Sequence, residues 1–112
     1  KEWQALGVVR AIAERPEVLV LDEALDGLPL DQQARLLRMI KRMKQDCSMS
    51  VVFMSSDLDQ VAYIADSLGV MSASGHLCEK GPTLEVLETP RHEESRAAIA
   101  AFLQRTGQKS VR

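Results

Sequence analysis

The sequence has few aromatic residues, two cysteines and no long apolar run. Aromatic residues make up 4% of the 112 residues, so aliphatic side chains and methionine must fill the interior. Cys47 and Cys78 form no C-x-x-C pair or Cys/His ligand spacing, which argues for reduced thiols in a cytosolic protein. His76 and His92 also lack ligand-spaced partners, and we expect both at the surface rather than on a metal. The longest apolar stretch, residues 97–103, is far below the roughly 20 residues of a membrane-spanning helix.

The charge balance gives no electrostatic reason for binding nucleic acid. The formal net charge is -2 and the pI is about 5.7. A solvated helix face explains the basic cluster of Lys41, Arg42 and Lys44. The length allows about one domain. Because the sequence opens at Lys1 inside what reads as a helix, we expect a piece of a longer protein.

Hydrophobic periodicity predicts helices alternating with strands. Helices are predicted over residues 2–14, 31–44, 57–67, 84–87 and 90–104, and strands over 17–22, 50–54, 68–72 and 76–79. Ser56 and Asp59 have capping-box spacing, and Pro90 is expected in the first turn of the last helix. The last two strands should form a hairpin at Ser74-Gly75, where glycine supplies a positive φ. This order predicts an α/β fold with a parallel sheet and right-handed crossovers.

One strand carries most of the chemical information. In residues 17–23, four aliphatic residues stop at two adjacent carboxylates, Asp22 and Glu23. Such a run is typical of a parallel strand that is buried on both faces. Open α/β sheets bind ligands beyond the carboxyl ends of their strands, so the two acids should meet a charged substrate and its metal ion. The alternative is that two acids simply end a strand in solvent.

The order of several short motifs resembles the C-terminal half of an ATP-binding-cassette (ABC) transporter ATPase. The resemblance rests on Arg10-Ala11-Ile12-Ala13 followed by Pro16, the Walker B-like strand at 18–23, Asp57-Leu58 after the next strand, and Ala65-Asp66. Four later segments resemble the extension of the oligopeptide, dipeptide and nickel importer branch: Gly81-Pro82-Thr83, Val86-Leu87-Glu88, Pro90-Arg91-His92 and Arg96-Ala97. Each motif is weak alone, but their order and separations together are specific.

The resemblance implies a partial P-loop NTPase (RecA-like) parallel sheet flanked by helices, with a C-terminal β-hairpin and a helical tail. It assigns residues 1–15 to the end of the helical signature subdomain, 16–81 to the C-terminal part of the ATPase core, 82–105 to a C-terminal helical extension and 106–112 to a tail. The full-length form would bind MgATP and couple its hydrolysis to the import of a peptide or nickel. Expected partners are a second ATP-binding subunit, as a homo- or heterodimer, and transmembrane permease subunits, but no nucleic acid. The expected location is cytoplasmic, peripheral at the inner face of the cell membrane.

The same resemblance assigns roles to single residues. Phosphoryl transfer needs a metal ion, donors for the phosphates and a group that handles the attacking water. Asp22 would hold Mg²⁺, through water, and Glu23 would orient or deprotonate the attacking water. Ser56 occupies the position of the family's switch-loop histidine. Glu2 would be a remnant of the glycine-rich signature that reaches the nucleotide of the opposite subunit.

Several positions depart from the family pattern. No G-x-x-x-x-G-K-[ST] loop occurs, so the chain alone should bind ATP poorly. The hydroxyl of Ser56 cannot replace an imidazole, and a plain helix N-cap is the alternative for this residue. Pro29 stands where the family has an aspartate, and Lys1 stands where it has a glycine. A degenerate, non-catalytic subunit acting as a dimerisation or regulatory partner is therefore an alternative function, and an unrelated α/β domain is a third.

Overall fold

The computed structural model describes residues 2–106, in which helices and strands alternate as far as β3 and a second strand and two helices follow. The elements are α1 (Glu2–Ala13), β1 (Val18–Asp22), α2 (Leu30–Asp46), β2 (Ser50–Met54), α3 (Leu58–Ile64), β3 (Ser67–Met71), β4 (Leu77–Pro82), α4 (Thr83–Glu88) and α5 (Glu93–Thr106). The chain divides into two compact units, one ending at Ser56 and the other starting at Asp57. Lys1 and residues 107–112 of the predicted tail lie outside the described residues. Within residues 2–106, no helix combines the length and the apolar character needed to cross a membrane.

The first unit is built on two parallel strands. Strand β1 pairs with β2 in a register that runs from Val18 opposite Ser50 to Asp22 opposite Met54. Parallel neighbours require a crossover, and the connection that contains α2 supplies it. The prediction of a parallel sheet is confirmed, although among the described residues this sheet has two strands.

Strand β1 is buried on one face only, so the expectation of two covered faces is wrong. Leu19 and Leu21 are 4% and 5% exposed, whereas Val18 and Val20 are 56% and 57% exposed. Side chains alternate between the two faces of a strand, so the leucines face the core and the valines face outward. Helix α1 contacts α2, and their buried apolar side chains complete this core: Val8, Ile12, Leu36, Leu37 and Ile40. A single helical layer covers a single sheet face, which explains the one-sided burial.

Helix α2 begins directly after a proline. Pro29 is the N-cap residue with φ -56°, and Leu30 is the first helical residue, one position before the predicted start. Proline is tolerated at this place because the N–H of an N-cap residue makes no hydrogen bond within the helix. Asp31 and Arg35 form an exposed pair at i, i+4 with an N–O distance of 3.1 Å. Such a pair contributes only about 0.3–0.5 kcal/mol.

The second unit contains the predicted hairpin. Strands β3 and β4 pair antiparallel, from Ser67 opposite Pro82 to Val70 opposite Glu79, with a bulge before Met71. Gly75 has φ +90°, which confirms that glycine supplies the left-handed backbone of the turn.

Asp57 is the N-cap of α3. Its carboxylate accepts hydrogen bonds from the backbone N–H groups of Asp59 at 3.0 Å and Gln60 at 3.3 Å. The capping-box prediction that used Ser56, and the alternative that Ser56 is a plain N-cap, are both wrong. The cap lies one residue later because the longer Asp57 side chain already satisfies the first free N–H groups of the helix.

Helix α3 ends three residues before the predicted end. Thr83 is 5% exposed, its hydroxyl donates to the Ala65 carbonyl at 2.8 Å, and its backbone N–H donates to the Asp66 carbonyl at 3.1 Å. These bonds hold the carbonyls that follow Ile64 against a residue far along the chain. Strand β3 then begins at Ser67, so the helix does not continue.

Helix α5 begins at Glu93 rather than at Pro90, so the predicted proline start is wrong. The carbonyl of His92 accepts the N–H of Arg96 at 3.0 Å, which makes His92 the residue that precedes the first turn. The Nδ1 atom of His92 accepts the N–H of Glu94 at 3.1 Å. An imidazole therefore caps this helix in place of the usual hydroxyl or carboxylate.

Glu79 of β4 holds the segment that leads into α5. Its carboxylate accepts the N–H of Arg91 at 2.9 Å and the N–H of His92 at 3.0 Å. These bonds to the charged form, first from Arg91 and then from His92, lower the pKa of Glu79 to about 2. The start of α5 is thus fixed to the hairpin by a charged acceptor.

Candidate functional site

The predicted acids lie at the carboxyl edge of the parallel sheet. Asp22 is the last residue of β1 and stands opposite Met54, the last residue of β2. The N–H of Glu23 donates to the Met54 carbonyl at 2.8 Å, so the pairing continues one residue past the strand. Both strands therefore end together, and the backbone of Ser56, two residues after β2, hydrogen-bonds to the Glu23 carboxylate.

The loop after β1 turns sharply at Glu23. This residue has φ +52°, a left-handed conformation that is uncommon for a side chain other than glycine. Asp26 N–H donates to the Glu23 carbonyl at 3.3 Å, and Gly27 follows with φ +81°. Leu25 and Leu28 are 1% and 4% exposed, so two buried leucines anchor a loop whose acids face solvent.

Helix α1 also holds this loop. The side-chain amide of Gln4 donates to the Ala24 carbonyl and, at 2.8 Å, to the Asp26 carbonyl. One amide group thereby satisfies two carbonyls on either side of Leu25. Sequence reasoning missed this contact, because a single glutamine near a helix start gives no signal of a partner 20 residues away.

The pKa of Glu23 is raised above its ordinary value. The main cause is partial removal of the carboxyl from water, followed by a side-chain hydrogen bond with Asp26 and repulsion from the Asp26 charge; Asp22 adds a smaller repulsion. A hydrogen bond with the backbone of Ser56 acts in the opposite sense and lowers the pKa. Glu23 is consequently a stronger proton acceptor than a glutamate in water.

Ser56 meets Glu23 through its backbone. The residue is exposed, and its N–H is the donor that stabilises the charged form of the Glu23 carboxylate. The resemblance assigned Ser56 to the position of the switch-loop histidine, and the hydrogen bond with Glu23 is made by the backbone rather than by the side chain. Asp26 is a further member of the site that sequence reasoning missed, although Asp-Gly is a turn signal three residues after Glu23.

The donor set suits a magnesium ion. Asp22, Glu23 and Asp26 are exposed carboxylates on one strand end and its loop, and Mg²⁺ prefers such hard oxygen ligands. Their carboxylate oxygens do not converge around one point, unlike the ligand atoms of another group among the described residues. Mg²⁺ commonly keeps several of its waters, so Asp22 can hold the ion through one of them without the other two carboxylates.

Two other residues to which the resemblance assigned a position in the family pattern, Glu2 and Pro29, are not part of the cluster of three carboxylates. Glu2 is the first residue of α1, and Lys1 lies outside the described residues. Pro29 ends the loop as the N-cap of α2 and is exposed. It therefore acts as a helix start in this chain.

Comparison with known proteins supports the resemblance drawn from the motifs. No model of a known protein family matches the chain. The methionine import ATP-binding protein MetN 2 of Acinetobacter baylyi is 32% identical over 101 residues, which are 90% of this chain and 29% of that protein. The oligopeptide transport ATP-binding protein OppF of Bacillus subtilis is 33% identical over 99 residues, 88% of this chain and 32% of that protein. The oligopeptide transport ATP-binding protein OppD of Mycobacterium bovis is 34% identical over 101 residues, 90% of this chain and 16% of that protein.

The chain spans at most about a third of the length of these relatives. Along about nine-tenths of its own length, it is similar in sequence to ATP-binding proteins of methionine import and oligopeptide transport.

Proposed function

We propose that this chain forms the metal- and water-handling part of the ATP-hydrolysing site in an ABC importer ATPase subunit. In this proposal, residues 16–81 belong to a RecA-like ATPase core and 82–105 to an extension. The observation that carries the proposal is the common end of β1 and β2, where Asp22, Glu23 and the Ser56 backbone lie together. The relatives named for oligopeptide transport and methionine import favour a peptide or an amino acid as the imported solute. Permease subunits and a second ATP-binding subunit would be the partners, at the cytoplasmic face of the membrane.

The residues divide the work according to their surroundings. Asp22, exposed at the strand end, would hold Mg²⁺ through water. Bound Mg²⁺ would offset the negative charge of the transferred phosphoryl group. Glu23 would orient the attacking water and accept its proton, a task that its raised pKa favours. The Ser56 N–H donates to the same carboxylate and would keep one oxygen aimed while the other faces the water.

Substitution of Glu23 tests this assignment. In the complete ATP-binding subunit, Glu23→Gln should keep ATP binding and lower turnover by about 10²–10⁴-fold, the usual contribution of a general base. Glu17→Gln is the matched control, because the exposed Glu17 precedes the opposite end of the same strand. Equal turnover in the two variants, with ATP binding intact, would remove Glu23 from this role.

A degenerate, non-catalytic subunit is a second candidate. Pro29 supplies neither a charge nor an N–H where the family has an aspartate, and Ser56 supplies no imidazole. If the subunit is non-catalytic, the complete wild-type protein binds ATP but its turnover does not exceed that of Glu23→Gln. Wild-type turnover well above that of Glu23→Gln would exclude a non-catalytic subunit.

A further inference from the structure

The fold of the second unit brings three potential metal ligands together. Cys78 of β4, His92 before α5 and Glu94 in the first turn of α5 each offer one ligand atom, and these atoms lie within 4.8 Å of one another. Cys78 is half-buried, and the other two side chains are exposed. The residues are 14 and 2 positions apart along the chain, a spacing that resembles no metal-binding motif.

Two contacts fix the backbone that carries these residues. The Glu79 carboxylate accepts the N–H groups of Arg91 and His92, which ties the start of α5 to β4. Ser95, fully buried in the first turn of α5, lies 3.8 Å from the Cys78 sulfur. The three ligands therefore project from a braced framework rather than from a free loop.

The ligand types suit zinc. Thiolate, imidazole and carboxylate all bind Zn²⁺, at distances of about 2.0–2.3 Å in tetrahedral geometry, which places ligand atoms about 3.3–3.8 Å apart. Closing the present 4.8 Å span requires shifts of about 1 Å. Side-chain rotation of His92 and Glu94 can supply such shifts, since both are exposed.

An open cavity of about 250 Å³ adjoins the cluster. Cys78 and His92 belong to its lining, together with Glu79, Lys80 and Arg91. A site with three protein ligands needs space for water or another small ligand in the fourth position. The cavity provides that space.

Metal binding would replace two existing hydrogen bonds. The Cys78 thiol donates to the Val70 carbonyl at 3.3 Å, so forming the thiolate releases that proton to the solvent. Nδ1 of His92 accepts the Glu94 N–H. A metal on Nδ1 takes that lone pair, and a metal on Nε2 requires the ring proton to move to Nδ1, so either mode ends the cap bond.

We propose that Cys78, His92 and Glu94 bind Zn²⁺ in a three-ligand site with an open fourth position. The inference does not depend on the ATPase proposal, because it uses side chains of the second unit alone. Two consequences follow from the bonds that are replaced. Affinity falls as the pH is lowered, and the Glu94 amide environment changes when metal binds.

Titration of the 112-residue chain with Co²⁺ and Zn²⁺ tests the site. Co²⁺ should produce a thiolate-to-cobalt charge-transfer band that one equivalent of Zn²⁺ abolishes; the acids of the first unit, which have only oxygen donors, cannot give this band. Cys78→Ser should remove the band and weaken Zn²⁺ binding at least 100-fold. Cys47→Ser, the change at the other free cysteine, should leave both unchanged.

Histidine substitutions provide the second arm. His92→Gln should weaken Zn²⁺ binding at least tenfold, while His76→Gln, in the hairpin turn, should not. Circular dichroism of each variant shows whether it folds. In the wild type, the NMR signal of the Glu94 backbone amide should shift when Zn²⁺ is added. Absence of the cobalt band in the folded wild-type chain, or its survival in folded Cys78→Ser, would overturn the proposal.

Discussion

Leu25 should be the main anchor of the loop that carries the candidate catalytic acids. It is 1% exposed, although it lies two residues after Glu23 in a loop whose acids, Glu23 and Asp26, are exposed. Leu25→Ala removes three carbon atoms, worth about 0.8 kcal/mol each, or about 2.4 kcal/mol of transfer free energy. The cavity left behind adds about 1 kcal/mol. We therefore expect the free energy of unfolding to fall by about 3 kcal/mol.

Urea unfolding followed by far-ultraviolet circular dichroism measures this loss. With an m value of about 1.5 kcal/mol/M, the midpoint should fall by about 2 M urea. Leu30→Ala is the matched control, because Leu30 is 81% exposed at the start of α2 and its truncation should change stability by less than about 0.5 kcal/mol. If the two variants unfold at the same urea concentration, Leu25 does not anchor the loop and the argument from burial fails.

Two further predictions concern the second unit. Asp57→Ala should destabilise the chain by about 1 kcal/mol through loss of the α3 cap, whereas Ser56→Ala should cost much less in the same urea assay; the reverse order would restore Ser56 as the cap. Glu79 has a pKa of about 2, below that of an unfolded glutamate, so its stabilisation is present above about pH 4.5 and is lost as the pH falls towards 2. The test is urea unfolding of Glu79→Gln and of the wild type in the presence of a metal chelator. The variant should be less stable than the wild type at pH 7, and it should lose less stability between pH 4.5 and 2. Parallel acid dependence in both proteins would contradict this assignment.

Periodicity was sufficient for the elements whose pattern is local. Strand β2 has the predicted bounds, Ser50–Met54, because a short β-branched and aromatic run encodes a strand without help from distant residues. Helix α2 extends the predicted range by one residue at its start and two at its end, since its apolar stripe is long and regular. The hairpin turn followed from Gly75, whose positive φ few other residues adopt.

The errors lie where a distant side chain decides the boundary. The end of α3 depends on Thr83, which hydrogen-bonds to Ala65 from 18 residues away. The start of α5 depends on Glu79, which holds the N–H groups of Arg91 and His92. A local pattern contains no information on such partners, so Pro90 appeared to be the better start. Tertiary contacts overrode a local preference in both cases.

In the candidate site, too, local features were predictable and contacts between distant residues were not. The sequence located Asp22 and Glu23 because an aliphatic run that stops at two acids is a local signal. It did not reveal that Asp26 raises the pKa of Glu23 or that Gln4 supports the loop, because both contacts require the chain to turn back on itself. The position of the acids was predictable from the sequence, whereas their chemical tuning was not.

The backbone of Glu23 shows how this tuning is maintained. Arg15 has a similar left-handed φ of +54°, but it follows the end of α1, where helices commonly adopt that conformation. Glu23 adopts it directly after a strand, where a residue other than glycine carries a strain of about 1–3 kcal/mol. Such strain persists only when the surroundings fix the backbone, and here the Met54 carbonyl and the buried Leu25 do so on either side. The turn costs stability, and in return it brings the Glu23 carboxylate to Asp26 and to the Ser56 N–H, the contacts that set its basicity.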